Sequence, residues 1–120
     1  MARVLVVDDS PLVRVILCDL LRDLGHEPIP AGTADEALAL CARYDPDLVI
    51  KDLVMEDADP ILFMEELRAI NAELPIVVCS TIGRRQEICQ ALRAGANDFL
   101  VKPIDRAEVA RVVERYALHH

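Results

Sequence analysis

Along this sequence a small set of polar residues stands at the ends of short apolar runs. Asp8 and Asp9 follow Val4-Leu5-Val6-Val7, and Asp52 comes just after Leu48-Val49-Ile50. Ser80 and Thr81 follow Ile76-Val77-Val78-Cys79, and Lys102-Pro103 follow Phe99-Leu100-Val101. Taken singly, an Asp or Ser at such a point starts a loop or caps a helix, and a Lys ends a strand. Brought together, three carboxylates, a hydroxyl and an ammonium form a set with one evident use. Clustered carboxylates repel one another unless a proton or cation intervenes. A hard divalent cation does this through oxygen ligands, and Mg²⁺ typically takes one or two carboxylates, several waters and a phosphate oxygen. Lys102 adds the positive charge that a phosphoryl group would need.

Other phosphate and metal chemistries fit poorly. The glycines Gly25, Gly32, Gly83 and Gly95 form neither a G-x-x-x-x-G-K-[ST] loop nor a G-x-G-x-x-G turn. No His pair or Cys cluster has zinc-ligand spacing. Ser80 has no credible base for a hydrolase triad, because His26 falls in the turn after the first helix.

The elements that must position this set are legible from pattern. The four apolar runs are β-branched and continuous, as strands buried on both faces of a parallel sheet would be. Pro28-Ile29-Pro30-Ala31 is a weaker run whose prolines remove ladder donors, which places it at an edge. Helical spacing fills the intervals. Leu12, Val13, Ile16, Leu17, Leu20, Leu21 and Leu24 form one face, opened by Ser10-Pro11 and closed by Gly25. Ala37, Leu38 and Cys41 mark a second helix, and Ile61, Met64 and Leu67 a third. Ile88, Cys89 and Leu92 mark a fourth, and Val109, Val112, Val113 and Tyr116 a fifth. Thr33 with Glu36, and Asp105 with Glu108, read as capping boxes or their Asp analogue. Strand and helix thus alternate five times, an α/β class with one five-stranded parallel sheet covered on both faces. In such a sheet ligands bind beyond the carboxyl ends of the strands, where all the polar residues above would lie.

Size and composition agree. The 120 residues suit one domain, 1–120, with a single sizeable core, and 53% apolar content argues against disorder. A net charge of −8 argues against nucleic acid or an anionic membrane as a direct partner. No stretch approaches the roughly 20 apolar residues of a membrane span, and no secretory signal is visible. Cys18, Cys41, Cys79 and Cys89 lie in apolar stretches without C-x-x-C pairing, so buried free thiols in a reducing cytoplasm are expected. His119 and His120 read as an expression-tag remnant and are given no role.

With those residues in place, the sequence resembles the receiver domain of bacterial response regulators, near the single-domain chemotaxis type. The resemblance spans essentially the whole chain. It rests on Val6-Val7-Asp8-Asp9-Ser10, Asp52-Leu53-Val54-Met55, Pro75-Ile76-Val77-Val78-Cys79-Ser80 and the run from Ala94-Gly95-Ala96-Asn97-Asp98 through Phe99-Leu100-Val101-Lys102-Pro103. It implies a flavodoxin-like doubly wound sheet of order 2-1-3-4-5. Asp52 would be the phosphoacceptor, taking its phosphoryl group from a phosphohistidine on a sensor histidine kinase or phosphotransfer protein. Mg²⁺ would be held by Asp9, Asp52 and the Val54 backbone carbonyl, with Asp8 acting mainly through water. Lys102 would bridge phosphate and acidic pocket, and Ser80 and Phe99 would be the switch pair. The Lys102-Pro103 peptide would be cis. A downstream protein would dock on the last two helices and the last strand. The chain would then be a signalling switch rather than an enzyme.

The sequence departs from the family pattern in places. Met55 is followed by Glu56-Asp57-Ala58-Asp59-Pro60 where the family commonly has Pro-x-Met-Asp-Gly, and Thr81 stands where Ala or Gly is usual. Asp59 and Pro60 still make a sound helix start. Glu56 and Thr81 bear on the metal's water and on access to the phosphate, hence on its lifetime. The altered loop supports one alternative, a pseudo-receiver that acts as a phosphorylation-independent interaction module. A Mg²⁺-dependent phosphohydrolase is disfavoured because Val54 occupies the position where a second carboxylate would serve as general acid. Arg84, Arg85, Arg111 and Arg115 mark either a partner surface or solvated helix faces. Neither the cognate kinase nor the downstream output is written in the sequence.

Overall fold

The computed structural model describes residues 1–118; His119 and His120, assigned above to a tag remnant, lie outside the described residues. Five strands, β1 (Arg3–Val7), β2 (Glu27–Ala31), β3 (Leu48–Asp52), β4 (Ile76–Ser80) and β5 (Asp98–Val101), alternate with five helices. The helices are α1 (Pro11–Asp23), α2 (Ala34–Tyr44), α3 (Pro60–Ile70), α4 (Arg85–Arg93) and α5 (Arg106–Ala117). The strands form one parallel sheet in the order β2-β1-β3-β4-β5, as the resemblance implied. Pro28 and Pro30 are tolerated because β2 is an edge strand.

Strand alternation divides the core in two. Leu5, Val7, Val49, Ile76 and Val78 face α2 and α3, meeting Ala37, Cys41, Phe63, Met64 and Leu67. Val4, Val6, Leu48, Ile50, Val77, Cys79 and Leu100 face α1 and α5, meeting Leu17, Cys18, Leu21, Val109, Val112 and Val113. With both faces covered, the central strands read as unbroken apolar runs, which is why pattern alone found them.

The helix starts follow the expected chemistry with two variations. Ser10 Oγ accepts from Val13 N, and Asp59 accepts from Ile61 N and Leu62 N. Thr33 Oγ1 accepts from Glu36 N, but the Glu36 carboxylate reaches past Thr33 to the Gly32 N–H. Asp105 caps Ala107 N, whereas Glu108 pairs with Arg111 instead of closing a box. Helix α1 ends at Gly25 in the left-handed region (φ +88°), with His26 N–H bonded back to the Leu21 carbonyl.

Two expectations about burial fail. In α1, Leu12 and Ile16 are exposed, and the buried stripe is Leu17, Cys18 and Leu21, because only the helix's carboxyl-terminal half leans on the sheet. In α4, Ala91 is the buried residue, while Cys89 and Leu92 are exposed. Helix α4 meets the core through buried Ala91 and half-buried Ile88, so the rest of its apolar side borders an open groove and Cys89 is not a core thiol.

Candidate functional site

At the carboxyl ends of β1 and β3, oxygens of Asp8, Asp9 and Asp52 lie within 4.8 Å of one another. Asp8 is buried and held from four directions. Its Oδ1 accepts from Ser10 N at 2.9 Å, and its Oδ2 from Lys102 Nζ at 2.9 Å. Its amide donates to the Ala31 carbonyl, and its own carbonyl accepts from Arg14 Nη1 at 2.6 Å. Asp9, next in the chain, faces solvent. Asp52 closes β3 with its side chain largely covered and its Oδ1 3.4 Å from Lys102 Nζ.

Lys102 arrives from the end of β5, where its amide bonds to the Ser80 carbonyl at 2.7 Å. The following peptide to Pro103 is cis. Ser80, the last residue of β4, is buried, and its hydroxyl donates to the Thr81 carbonyl at 2.9 Å. An open cleft of about 250 Å³ lies above these groups. Asp9, Asp52, Val54, Glu56, Ser80, Thr81, Arg84 and Lys102 all contribute to its walls.

The electrostatics of the site follow from this crowding of carboxylates. Burial, followed by the neighbouring Asp8 carboxylate, raises the Asp52 pKa, and Lys102 offsets this only in part. Burial also opposes the Lys102 ammonium, but the Asp8 hydrogen bond and the Asp52 charge more than compensate, so its pKa rises. The two shifts look discordant for a salt-bridged pair. The geometry resolves them: Lys102 is shared, sits nearer Asp8, and leaves Asp52 under-neutralised. An all-oxygen set with excess negative charge fits a hard divalent cation.

The family model of the response regulator receiver domain matches residues 4–114. This chain belongs to the response regulator receiver family. It is 32% identical to the chemotaxis protein CheY of Bacillus subtilis, over 94% of this chain and 95% of that protein. It is 34% identical to the transcriptional regulatory protein ZraR of Salmonella typhimurium over 97% of this chain but only 26% of that longer regulator. The receiver domain of NtrX from Brucella abortus is similar with a TM-score of 0.91 at 34% identity, covering 98% of this chain and 99% of that one.

Within this receiver, the residues singled out from sequence distribute as follows. Asp8, Asp9, Asp52 and Lys102 converge, with Ser80 and Val54 on the same cleft. Phe99 does not point into the cleft; it is 38% exposed and lines an apolar groove between α4 and β5. Of the four arginines, Arg84 borders both cleft and groove, and Arg85 borders the groove. Arg111 is instead engaged with Asp98 and Glu108, and Arg115 stacks on Tyr116. His26 accepts from Ala2 N at the amino ends of the strands, far from Ser80 along the sheet, so no hydrolase triad forms with it.

Three residues escaped the sequence reading. Arg14, not singled out from the sequence, clamps the Asp8 carbonyl. Asp57 reaches across to accept from Ala34 N at the start of α2, tying the altered loop to a neighbouring helix. Lys51, also not singled out from the sequence, is only 1% exposed. Its ammonium donates to the Asp52 carbonyl at 2.7 Å and lies 5.5 Å from the Phe63 ring centroid. Burial lowers its pKa to about 8, with the Asp52 and Cys79 charges opposing. One signal was available: Lys51 falls in the same alternating row as Val49, hence on a buried face.

Proposed function

We propose that this receiver accepts a phosphoryl group on Asp52 from a phosphohistidine of a sensor histidine kinase or phosphotransfer protein. The observation that carries the reading is the under-neutralised Asp52 carboxylate beside Asp8, Asp9 and Lys102 at the floor of an open cleft. Asp9, Asp52 and the Val54 carbonyl would hold Mg²⁺, with Asp8 behind them acting through water. When bound, Mg²⁺ supplies charge neutralisation between the carboxylates and the incoming phosphoryl oxygens. An Asp52 oxygen attacks phosphorus, the O–P bond forms, and the P–N bond to the donor imidazole breaks. Little else is asked of the protein beyond positioning and charge.

Lys102 has the reach to serve this step, since it already spans Asp8 and Asp52. Once a phosphoryl group sits on Asp52, Lys102 would shift its hydrogen bonding from Asp8 toward the new oxygens. Ser80 would exchange its bond to the Thr81 carbonyl for one to the phosphate, drawing the β4–α4 loop inward. Phe99, outward in this conformation, would follow into the space released. The receiver would work in the cytoplasm.

The output face would be the α4–β5–α5 surface, contacted by a downstream protein rather than by nucleic acid or membrane. An apolar groove of about 440 Å³ there, lined by Ile88, Cys89, Leu92, Phe99 and Val101, supports that assignment. Among the described residues no helix is long and apolar enough to cross a membrane.

Incubation with Mg²⁺ and a small acyl phosphate, followed by intact-mass measurement, tests the reading. One added phosphoryl group is expected, abolished by a chelator and in Asp52→Asn. An unmodified wild type would favour a phosphorylation-independent interaction module. Continuous phosphate release from unrelated monoesters would favour a hydrolase.

A further inference from the structure

Lys51 is the one charged side chain in the core for which no carboxylate partner stands within salt-bridge distance among the described residues. Burying an ammonium this way is costly unless it does something a hydrophobic residue cannot. Strand register indicates what that is. β1 pairs with β3 only as far as Val7 opposite Lys51. Two residues later the Leu53 amide bonds the Cys79 carbonyl on the β4 side. By strand alternation the Asp52 carbonyl faces the β1 side, where pairing has ended and the Asp8 amide continues the ladder to Ala31 of β2 instead. The Asp52 carbonyl therefore lacks a ladder donor, and Lys51 Nζ supplies one at 2.7 Å.

We propose that Lys51 is a positioning residue for Asp52. Resting on the phosphoacceptor reading above, its ammonium replaces the missing strand donor and locks the peptide that carries the Asp52 side chain and leads into Leu53-Val54. The lock comes from beneath, on the α3 face, while Lys102 acts from the β5 side of the cleft. The Phe63 ring holds the ammonium in this pose, 5.5 Å from its centroid. Fixing this peptide keeps the carboxylate oxygen aimed for in-line attack, where small misplacements lower rate steeply. Lys51 also lies on the right side of the charge balance, placing a second cation near a site that gains negative charge.

The test compares wild type with Lys51→Met, which keeps length and apolar stem but removes donor and charge. The readouts are unfolding stability and the phosphorylation rate of Asp52 at saturating Mg²⁺ and acyl phosphate. The variant is expected to fold with undiminished stability, as removal of an uncompensated buried charge allows, and to be phosphorylated about tenfold or more slowly, in keeping with lost positioning. A residue that merely fills space would leave both stability and rate unchanged, because Met fills the same volume. A rate within about twofold of wild type, read against the tenfold expected from misplacement, overturns the proposal while leaving the Asp52 reading intact. A wild type that takes up no phosphoryl group overturns both. If Lys51→Met does not fold, wild type still decides. A through-hydrogen-bond scalar coupling between the ¹⁵N-labelled Lys51 ammonium and the Asp52 carbonyl carbon is expected, and its absence in slowly exchanging conditions overturns the proposal.

Discussion

The two loops that carry the carboxylates are built on different plans. The β1–α1 loop is short and braced through Asp8 and Ser10. Asp8 is bonded through both carboxylate oxygens, its amide and its carbonyl, and Ser10-Pro11 starts the helix at once. The β3–α3 loop is longer, acidic and braced at its margins. Lys51 holds its first carbonyl, Met55 tucks into the core and bridges to Ala58, and Asp57 reaches the start of α2. Glu56 is left free to face the cleft. The contrast teaches where this receiver fixes its chemistry and where it leaves room to tune it. The first loop sets the acidic pocket rigidly, and the second can differ from the family pattern without disturbing it.

Breaking the bracing of the first loop should have the largest effect. Lys102→Met leaves Asp8 buried without its cation, and a loss of about 3 kcal/mol in metal-free stability is expected. Added Mg²⁺ should recover part of it by mass action, measured by chemical denaturation with and without the ion. Arg14→Ala removes a charge-assisted hydrogen bond to the Asp8 carbonyl, and about 1.5 kcal/mol is expected in the same assay. The second loop should be softer. Asp57→Ala removes an acceptor at the α2 N-terminus at a cost of about 1 kcal/mol. Thr33 still caps Glu36 N, so the helix should remain. If Asp57→Ala costs as much as Lys102→Met, the two plans are not different in kind.

The smallest effect is a pH response away from both loops. Burial alone would raise the Asp98 pKa, but hydrogen bonds from Arg111, the Phe99 amide and Tyr116 outweigh it and hold it below the usual carboxylate value. A depressed folded pKa means the unfolded state binds the proton more readily. The stabilising contribution is therefore complete above the unfolded carboxylate pKa of about 3.9, and it disappears as pH falls through the folded value. Carboxyl ¹³C titration should place Asp98 below the free value and Asp52, in metal-free protein, above it. A common midpoint would remove the distinction between a paired acid and a crowded one.

The fold and the convergence of Asp8, Asp9, Asp52 and Lys102 were legible because they depend on local signals. Continuous β-branched runs mark buried parallel strands, and the polar residue that ends each run must lie at the carboxyl edge of the sheet. What escaped notice depends on long-range geometry. Arg14 and Asp57 act across 6 and 23 residues of sequence on backbone groups whose availability no pattern encodes. Lys51 went unnoticed because lysines are almost never fully buried, although its alternation with Val49 pointed inward. The exposure of Cys89 and Leu92 was misjudged because helical spacing identifies an apolar side but not whether a sheet covers it.

The most direct test of the central claim locates the phosphoryl group itself. After reaction with an acyl phosphate and Mg²⁺, borohydride reduction converts a phosphorylated aspartate to homoserine, and peptide sequencing finds its position. The account predicts homoserine at position 52 alone. Homoserine at position 8 or 9, or none in a protein that folds and binds Mg²⁺, would contradict it.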